Sequence, residues 1–135
     1  TELEASARAA DLICSAIGCQ QPIIRGEWLK PGVHLDLVGA YTPNMREADD
    51  DCLRRGSLFV DARETTLQQI GELMIPLASG VISENDVLAD FSDLCRQNHQ
   101  GRSSEDEITI FKNGGGGHLD LMCARLLHQH QTQLQ

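Results

Sequence analysis

Aromatic residues are scarce in this sequence of 135 residues: one Trp, one Tyr and three Phe, 4% in all. That excludes a base-stacking platform for single-stranded nucleic acid. Positive charge is scarce too. Eleven Lys and Arg stand against twenty Asp and Glu, a formal net charge of −9. Phosphate backbones and anionic membrane surfaces repel such a chain, so neither nucleic acid nor membrane is expected as a partner. No apolar run approaches the roughly 20 residues that span a bilayer. The opening Thr1-Glu2-Leu3-Glu4 has neither a basic nor an apolar stretch, so no signal peptide is expected. The five cysteines (Cys14, Cys19, Cys52, Cys95, Cys123) are odd in number, and none forms a C-x-x-C pair. They read as reduced thiols of a cytoplasmic protein rather than a disulfide framework or a metal site. No G-x-G-x-x-G fingerprint and no internal repeat occurs.

What is present is the composition of a soluble domain, with 41% hydrophobic and 23% charged residues. The length is that of about one domain. An Ala-rich, acid-led helix is expected over residues 2–10. The apolar run 12–17 lacks alternation and reads as a strand buried on both faces, as in a parallel sheet. Further strands are expected over 33–39, 57–61 and 108–111. Helices are expected over 46–55, 65–74, 83–97 and 119–127, with 76–80 a connector and a polar, frayed tail after 127. Short apolar strands alternating with helices give an α/β unit with a parallel sheet.

Parallel sheets bind ligands at the carboxyl ends of their strands. Ser15-Ala16-Ile17-Gly18 ends the first strand, Val38-Gly39-Ala40-Tyr41 the second, and Asn113-Gly114 the last. Gly39 is either a turn glycine or a place where backbone passes beside a cofactor ring. Tyr41 either exchanges a proton with a substrate, stacks on a ring, or merely packs. The four glycines 114–117 sit between a strand and a helix, where bare backbone approaches a ligand closely, though glycine runs are more often connectors. Asn113 carries both a donor and an acceptor for a carboxamide. His118, His128 and His130 do not share a metal-binding face. Asp49-Asp50-Asp51 reads as a solvated helix start. His34 and Asp36 alternate with leucines and read as structural hydrogen-bonding groups.

Several phrases together are similar to the ornithine cyclodeaminase/mu-crystallin family. They are residues 22–34 (PIIRGEWLKPGVH), Val38-Gly39-Ala40-x-x-Pro43 followed by Arg46-Glu47, and Phe59-Val60-Asp61-x-Arg63-Glu64. Gly71-Glu72-Leu73, the segment 106–112 (DEITIFK) and Asp120-Leu121 continue the set. The match is collinear over nearly the whole chain. It implies the second half of a Rossmann-type NAD(P)-binding domain over 1–112. Residues 113–135 then form a Gly-rich loop and a helix returning to a substrate and dimerisation domain.

The resemblance also implies a homodimer acting on amino acids or cyclic imines, with NAD or NADP as cofactor. The family's phosphate-binding glycine loop and substrate-carboxylate grip lie N-terminal to the matched region. These 135 residues alone are therefore expected to be inactive. Cyclodeaminases of the family carry an acid directly after Val-Gly-Ala, where this chain has Tyr41. That favours a reductase of cyclic imine 2-carboxylates over an ornithine cyclodeaminase, with an alanine dehydrogenase-type enzyme or a non-catalytic NAD(P)- and ligand-binding protein as the other readings. The resemblance further implies that Ser15, Ala16, Ile17, Gly18, Val38, Gly39, Tyr41, Asn113 and Gly114 surround the nicotinamide, with Tyr41 the candidate catalytic group and no metal.

Overall fold

A computed structural model describes residues 2–133 of the chain. Five strands, β1 (Leu12–Ser15), β2 (His34–Leu37), β3 (Ser57–Val60), β4 (Val87–Asp90) and β5 (Thr109–Lys112), form one sheet in the order β1-β2-β5-β3-β4. Every pairing is parallel. Six helices accompany them: α1 (Glu2–Ala9), α2 (Asp50–Arg55), α3 (Arg63–Gln69), α4 (Gly71–Ala78), α5 (Phe91–Cys95) and α6 (Gly117–Gln133). The fold is α/β with a parallel sheet, as the alternation of elements requires.

Alternation along the strands separates two faces. Leu35, Leu37, Leu58, Val60, Val87 and Ile110 point into the main core, where Val33, Cys52, Leu53 and Leu73 meet them. His34, Asp36, Phe59, Thr109 and Phe111 lie on the other face. There Phe59 meets His99 edge to face at 5.4 Å, and Arg102 donates to Thr109 Oγ1 (2.8 Å). β1 is an edge strand, and Leu12 and Cys14 are exposed. The expectation of a strand buried on both faces is corrected: the run is apolar, but nothing among the described residues covers its second face.

Three further expectations change. Residues 83–97 are not one helix. Ser83 and Asp86 close a capping box around a single 3₁₀ turn, β4 follows, and a second box of Asp90 and Asp93 starts α5. Two N-caps seven residues apart, at Ser83 and Asp90, cannot serve one helix, and Val87 and Ala89 are buried beside β3 while Leu88 is not. Residues 46–48 are not helical. Arg46 N–H donates to Cys19 O (2.9 Å), and Glu47 O accepts from the N–H groups of Ile23 and Ile24. Helix α2 starts only when Asp49 caps it by accepting from Cys52 N–H (3.0 Å). The helix expected over 65–74 breaks at Ile70. Gly71 N–H donates to Thr42 O (2.9 Å), and a Cβ at Gly71 would lie 2.4 Å from Pro43 O, so the chain must re-aim there. Pro76 falls inside α4 rather than in a connector. Helix α6 continues through the tail expected to fray, as far as Gln133.

Glu107 ties the loop before β5. Its carboxylate accepts from the N–H and hydroxyl of Ser103 and from the Ser57 hydroxyl, which draws its pKa from 4.5 down to about 2. A carboxyl lowered in the folded state contributes stability above its ordinary value and loses it as pH falls. Glu107→Gln is therefore expected to cost on the order of 1 kcal/mol near neutral pH, since the group is partly solvated. Urea denaturation at a series of pH values should show the deficit closing as pH falls from about 5 to about 2.

Candidate functional site

The last residues of the strands form one row across the sheet. Ser15 is level with Leu37, Leu37 with Lys112, Lys112 with Val60, and Val60 with Asp90. Each loop leaves the row by a hydrogen bond to its neighbour: Val38 N–H to Ser15 O (2.8 Å), Asn113 N–H to Leu37 O (3.0 Å) and Asp61 N–H to Lys112 O (3.1 Å). The segments singled out in the sequence, 15–18, 38–41 and 113–114, thus stand side by side at the carboxyl ends of three adjacent strands. They line an open shelf.

Beneath the shelf lies a buried carboxylate. Glu47 Oε1 accepts from Ser15 Oγ (2.7 Å) and Ile17 N–H (2.9 Å). Its Oε2 accepts from the N–H groups of Gly39 (2.6 Å) and Ala40 (3.0 Å). Four donors from two loops fill both oxygens of one side chain, which is what a carboxylate needs to be buried without loss.

Behind Glu47 a second buried carboxylate, Glu72, accepts from the N–H groups of Glu47 (2.7 Å) and Ala48 (3.0 Å). Burial pushes the pKa of Glu72 up; those two amides, then Lys112 and Arg46, oppose the shift. Lys112 is fully buried and donates to Leu37 O (3.0 Å). Burial pushes its pKa down, against the pull of Glu72, Glu47, Asp61 and Asp36. Arg46 pairs with Asp50 Oδ1 (2.7 Å).

The expected site residues divide by what they touch. Ser15 is buried and held by Glu47, so it faces the core rather than the shelf. Ala16, Ile17, Gly18 and Val38 are exposed along the rim. Tyr41 is 67% exposed, its ring standing clear of the body. Gly39 lies against the neighbouring loop: a Cβ there would be 2.2 Å from Ile17 N and 2.6 Å from Ala16 C. Gly114 passes over Asp61, whose Oδ1 would lie 3.0 Å from an added Cβ. Asn113 Oδ1 accepts from Gly115 N–H (2.7 Å), which leaves its NH₂ as a donor. Asp49 serves as a helix cap, and His34 Nδ1 bonds Thr109 Oγ1 (2.8 Å). Among the described residues no cluster of His, Cys, Asp and Glu is placed to hold a metal ion, and no helix is long and apolar enough to cross a membrane.

Sequence reasoning missed Glu47, Glu72 and Lys112. Each stands inside a phrase quoted for the family resemblance; Glu72 is the one charged residue of 65–83, which is itself a sign of burial, whereas Glu47 stands among other charges and Lys112 at a strand end. The arrangement offers an apolar rim, one phenol and one amide. It offers little to a phosphate, because the N–H groups of Ile17, Gly39 and Ala40 are turned to Glu47.

The model of the ornithine cyclodeaminase/mu-crystallin family matches residues 1–134. The chain is 56% identical over 124 residues to the Δ1-pyrroline-2-carboxylate reductase of Paracoccus denitrificans, covering 92% of the chain and 39% of that protein. Among solved structures, the Thermococcus litoralis Δ1-pyrroline-2-carboxylate reductase in complex with NADH and L-proline superposes with a TM-score of 0.80 at 30% identity, over 83% of this chain and 35% of that one. The iminosuccinate reductase of Paracoccus denitrificans in complex with NAD+ gives a TM-score of 0.82 at 28% identity, over 98% of this chain and 41% of that one. The chain therefore spans about two fifths of the length of these proteins.

Proposed function

Because the chain belongs to the ornithine cyclodeaminase/mu-crystallin family, we propose that it forms the nicotinamide-side part of an NAD(P)-dependent reductase of cyclic imine 2-carboxylates. The observation that carries this reading is the meeting of segments 15–18, 38–41 and 113–114 beyond one row of strand ends. Residues 1–112 then belong to the cofactor domain, and 113–135 lead back to a substrate and dimerisation domain. The exposed Leu121, Met122, Leu126 and Leu127 of α6 support that second assignment. The reading extends to a homodimer, and the five free cysteines support a reducing, cytoplasmic setting.

The residues present fit a nicotinamide. Ile17 and Val38 give a flat apolar rim, and the Asn113 NH₂ is placed to donate to a carboxamide oxygen. A bound nicotinamide would supply the hydride. The chain's own contribution is positional: Ile17 and Val38 exclude water from one side of the ring, and Asn113 fixes its rotation. Tyr41, free at the rim, holds or moves a proton at the imine nitrogen. A phenol there, rather than a carboxylate, favours reduction over cyclodeamination.

The test exchanges these 135 residues for the matching segment of the Paracoccus denitrificans pyrroline-2-carboxylate reductase. The product is expected to reduce pyrroline- or piperideine-2-carboxylate with NADH or NADPH. A folded product without turnover, beside an active unexchanged reductase, overturns the reading. In the active product Tyr41→Asp is expected to lower imine reduction roughly tenfold or more, since it sets a negative charge against an anionic substrate. Unchanged rates would remove Tyr41 from the chemistry.

A further inference from the structure

We infer that Glu47 is a positioning residue for hydride transfer: one buried carboxylate clamps the β1 and β2 loops into a single wall for the nicotinamide. The inference rests on the reductase reading above and deepens it. Farther out, Cys19, Ile23 and Ile24 bind the backbone of residues 46–49, but next to the strand row the loops are joined through the Glu47 carboxylate. Val38 N–H to Ser15 O is the last backbone bond between them until Arg46 N–H donates to Cys19 O (2.9 Å). Just beyond it, Ile17 on one loop and Gly39 and Ala40 on the other are in contact and are tied by hydrogen bonds to the one carboxylate of Glu47. Gly39 lies on Ile17 with no room to spare, so the clamp sets a contact rather than a gap.

The clamp is itself held. Glu47 N–H is fixed by Glu72 Oε2 (2.7 Å), and its carbonyl takes the N–H groups of Ile23 (2.9 Å) and Ile24 (3.0 Å). A side chain anchored on all sides transmits its position to the loops that it binds. Both oxygens serve the loops equally, two donors each. Replacing either oxygen by NH₂ sets a donor against N–H groups, and one loop must turn away.

The consequence differs from that of an ordinary core residue. The N–H groups of Ile17, Gly39 and Ala40 are taken by Glu47 and are not offered to a phosphate, so loosening these loops should leave cofactor affinity almost intact. Ring placement should suffer, and a misplacement of about 1 Å costs roughly a hundredfold in rate. The experiment uses the exchanged reductase described above. Glu47→Gln is expected to lower kcat about a hundredfold while KM for NADH changes by less than about threefold. Glu47→Asp keeps the charge but reaches only one loop, and is expected to lose about tenfold. Val87→Ala, a core change at the far edge of the sheet, destabilises without altering kcat of the folded enzyme.

A readout independent of turnover is amide hydrogen exchange. In Glu47→Gln the amides of Ile17, Gly39 and Ala40 should exchange at least tenfold faster, while those of β3 and β5 hold. Normal kcat in a folded Glu47→Gln protein overturns the inference and leaves the reductase reading standing. Should Glu47→Gln fail to fold, Glu47→Asp decides: normal kcat in that variant overturns the inference, and the tenfold loss supports it. An exchanged reductase that never reduces the imine overturns the functional reading instead, whatever the amides do.

Discussion

Gly39→Ala is expected to destabilise the chain by about 2–4 kcal/mol and to loosen the shelf, although it adds a single methyl group. The new Cβ would lie 2.2 Å from Ile17 N, 2.5 Å from Ile17 O and 2.6 Å from Ala16 C. All three are backbone atoms, so no side chain can rotate out of the way. The loops must part, and parting them stretches the bonds from Ile17, Gly39 and Ala40 to Glu47. A buried carboxylate left short of donors then adds to the steric cost. Gly80→Ala is the control. Gly80 has φ +73 and nothing within 4 Å of an added Cβ, so only backbone strain of about 1 kcal/mol is at stake. Guanidinium denaturation of both variants separates crowding from strain. If Gly39→Ala costs no more than Gly80→Ala, the loops are not in contact as described.

Gly39 also shows what a sequence conveys and what it withholds. A glycine directly after an apolar run signals that backbone comes close to something. Here that something is the neighbouring loop, a non-local partner that spacing alone does not identify. The parallel sheet was legible because 33–39, 57–61 and 108–111 are short apolar runs bounded by turn residues, and the shelf followed from the rule on strand ends. The strand Val87–Asp90 was not legible. Its Val87 and Leu88 run on into Phe91, Leu94 and Cys95 of α5 at helical spacing, and pairing with β3 overrides that pattern over 87–90. The split at Ile70 was hidden for a similar reason, since Gly71 is forced by the 43–45 backbone and not by its neighbours in sequence. Tyr41 could be placed beyond a strand end from the run before it, and it stands exposed there. The buried network under it could not, because Arg46-Glu47 and Lys112 look like surface charge until the topology folds them beneath the loops.

Lys112→Met is expected to be among the most damaging single changes in the chain, costing about 3–5 kcal/mol near neutral pH. The methionine fills the space, so the loss is electrostatic. The ammonium is a buried cation that acts on Glu72, Glu47, Asp61 and Asp36 together, and its removal leaves Glu72 with Arg46 and two amides alone to offset its burial. The pH dependence identifies the cause. Burial already raises the pKa of Glu72, and Lys112 is one of the groups that restrain it, so the variant's Glu72 rises further. An acid raised in the folded state is harmless below its ordinary value of 4.5 and costs stability as pH rises through its folded value. The deficit of the variant should therefore be smallest near pH 4 and widen toward neutrality. Lys112 runs the other way. Its pKa lies below the ordinary 10.5, so the wild-type chain loses its own compensating charge as pH climbs toward that value. The two stability curves should converge again in alkali, which leaves a maximum difference between. Urea titrations from about pH 4 to 10 measure that maximum. The double variant with Glu72→Gln should recover about 1–3 kcal/mol relative to additive losses, because it removes the carboxylate stranded by the first change. A deficit that is flat in pH, together with additive losses in the double variant, would assign Lys112 a purely steric role and dissolve the network that holds Glu47 in place.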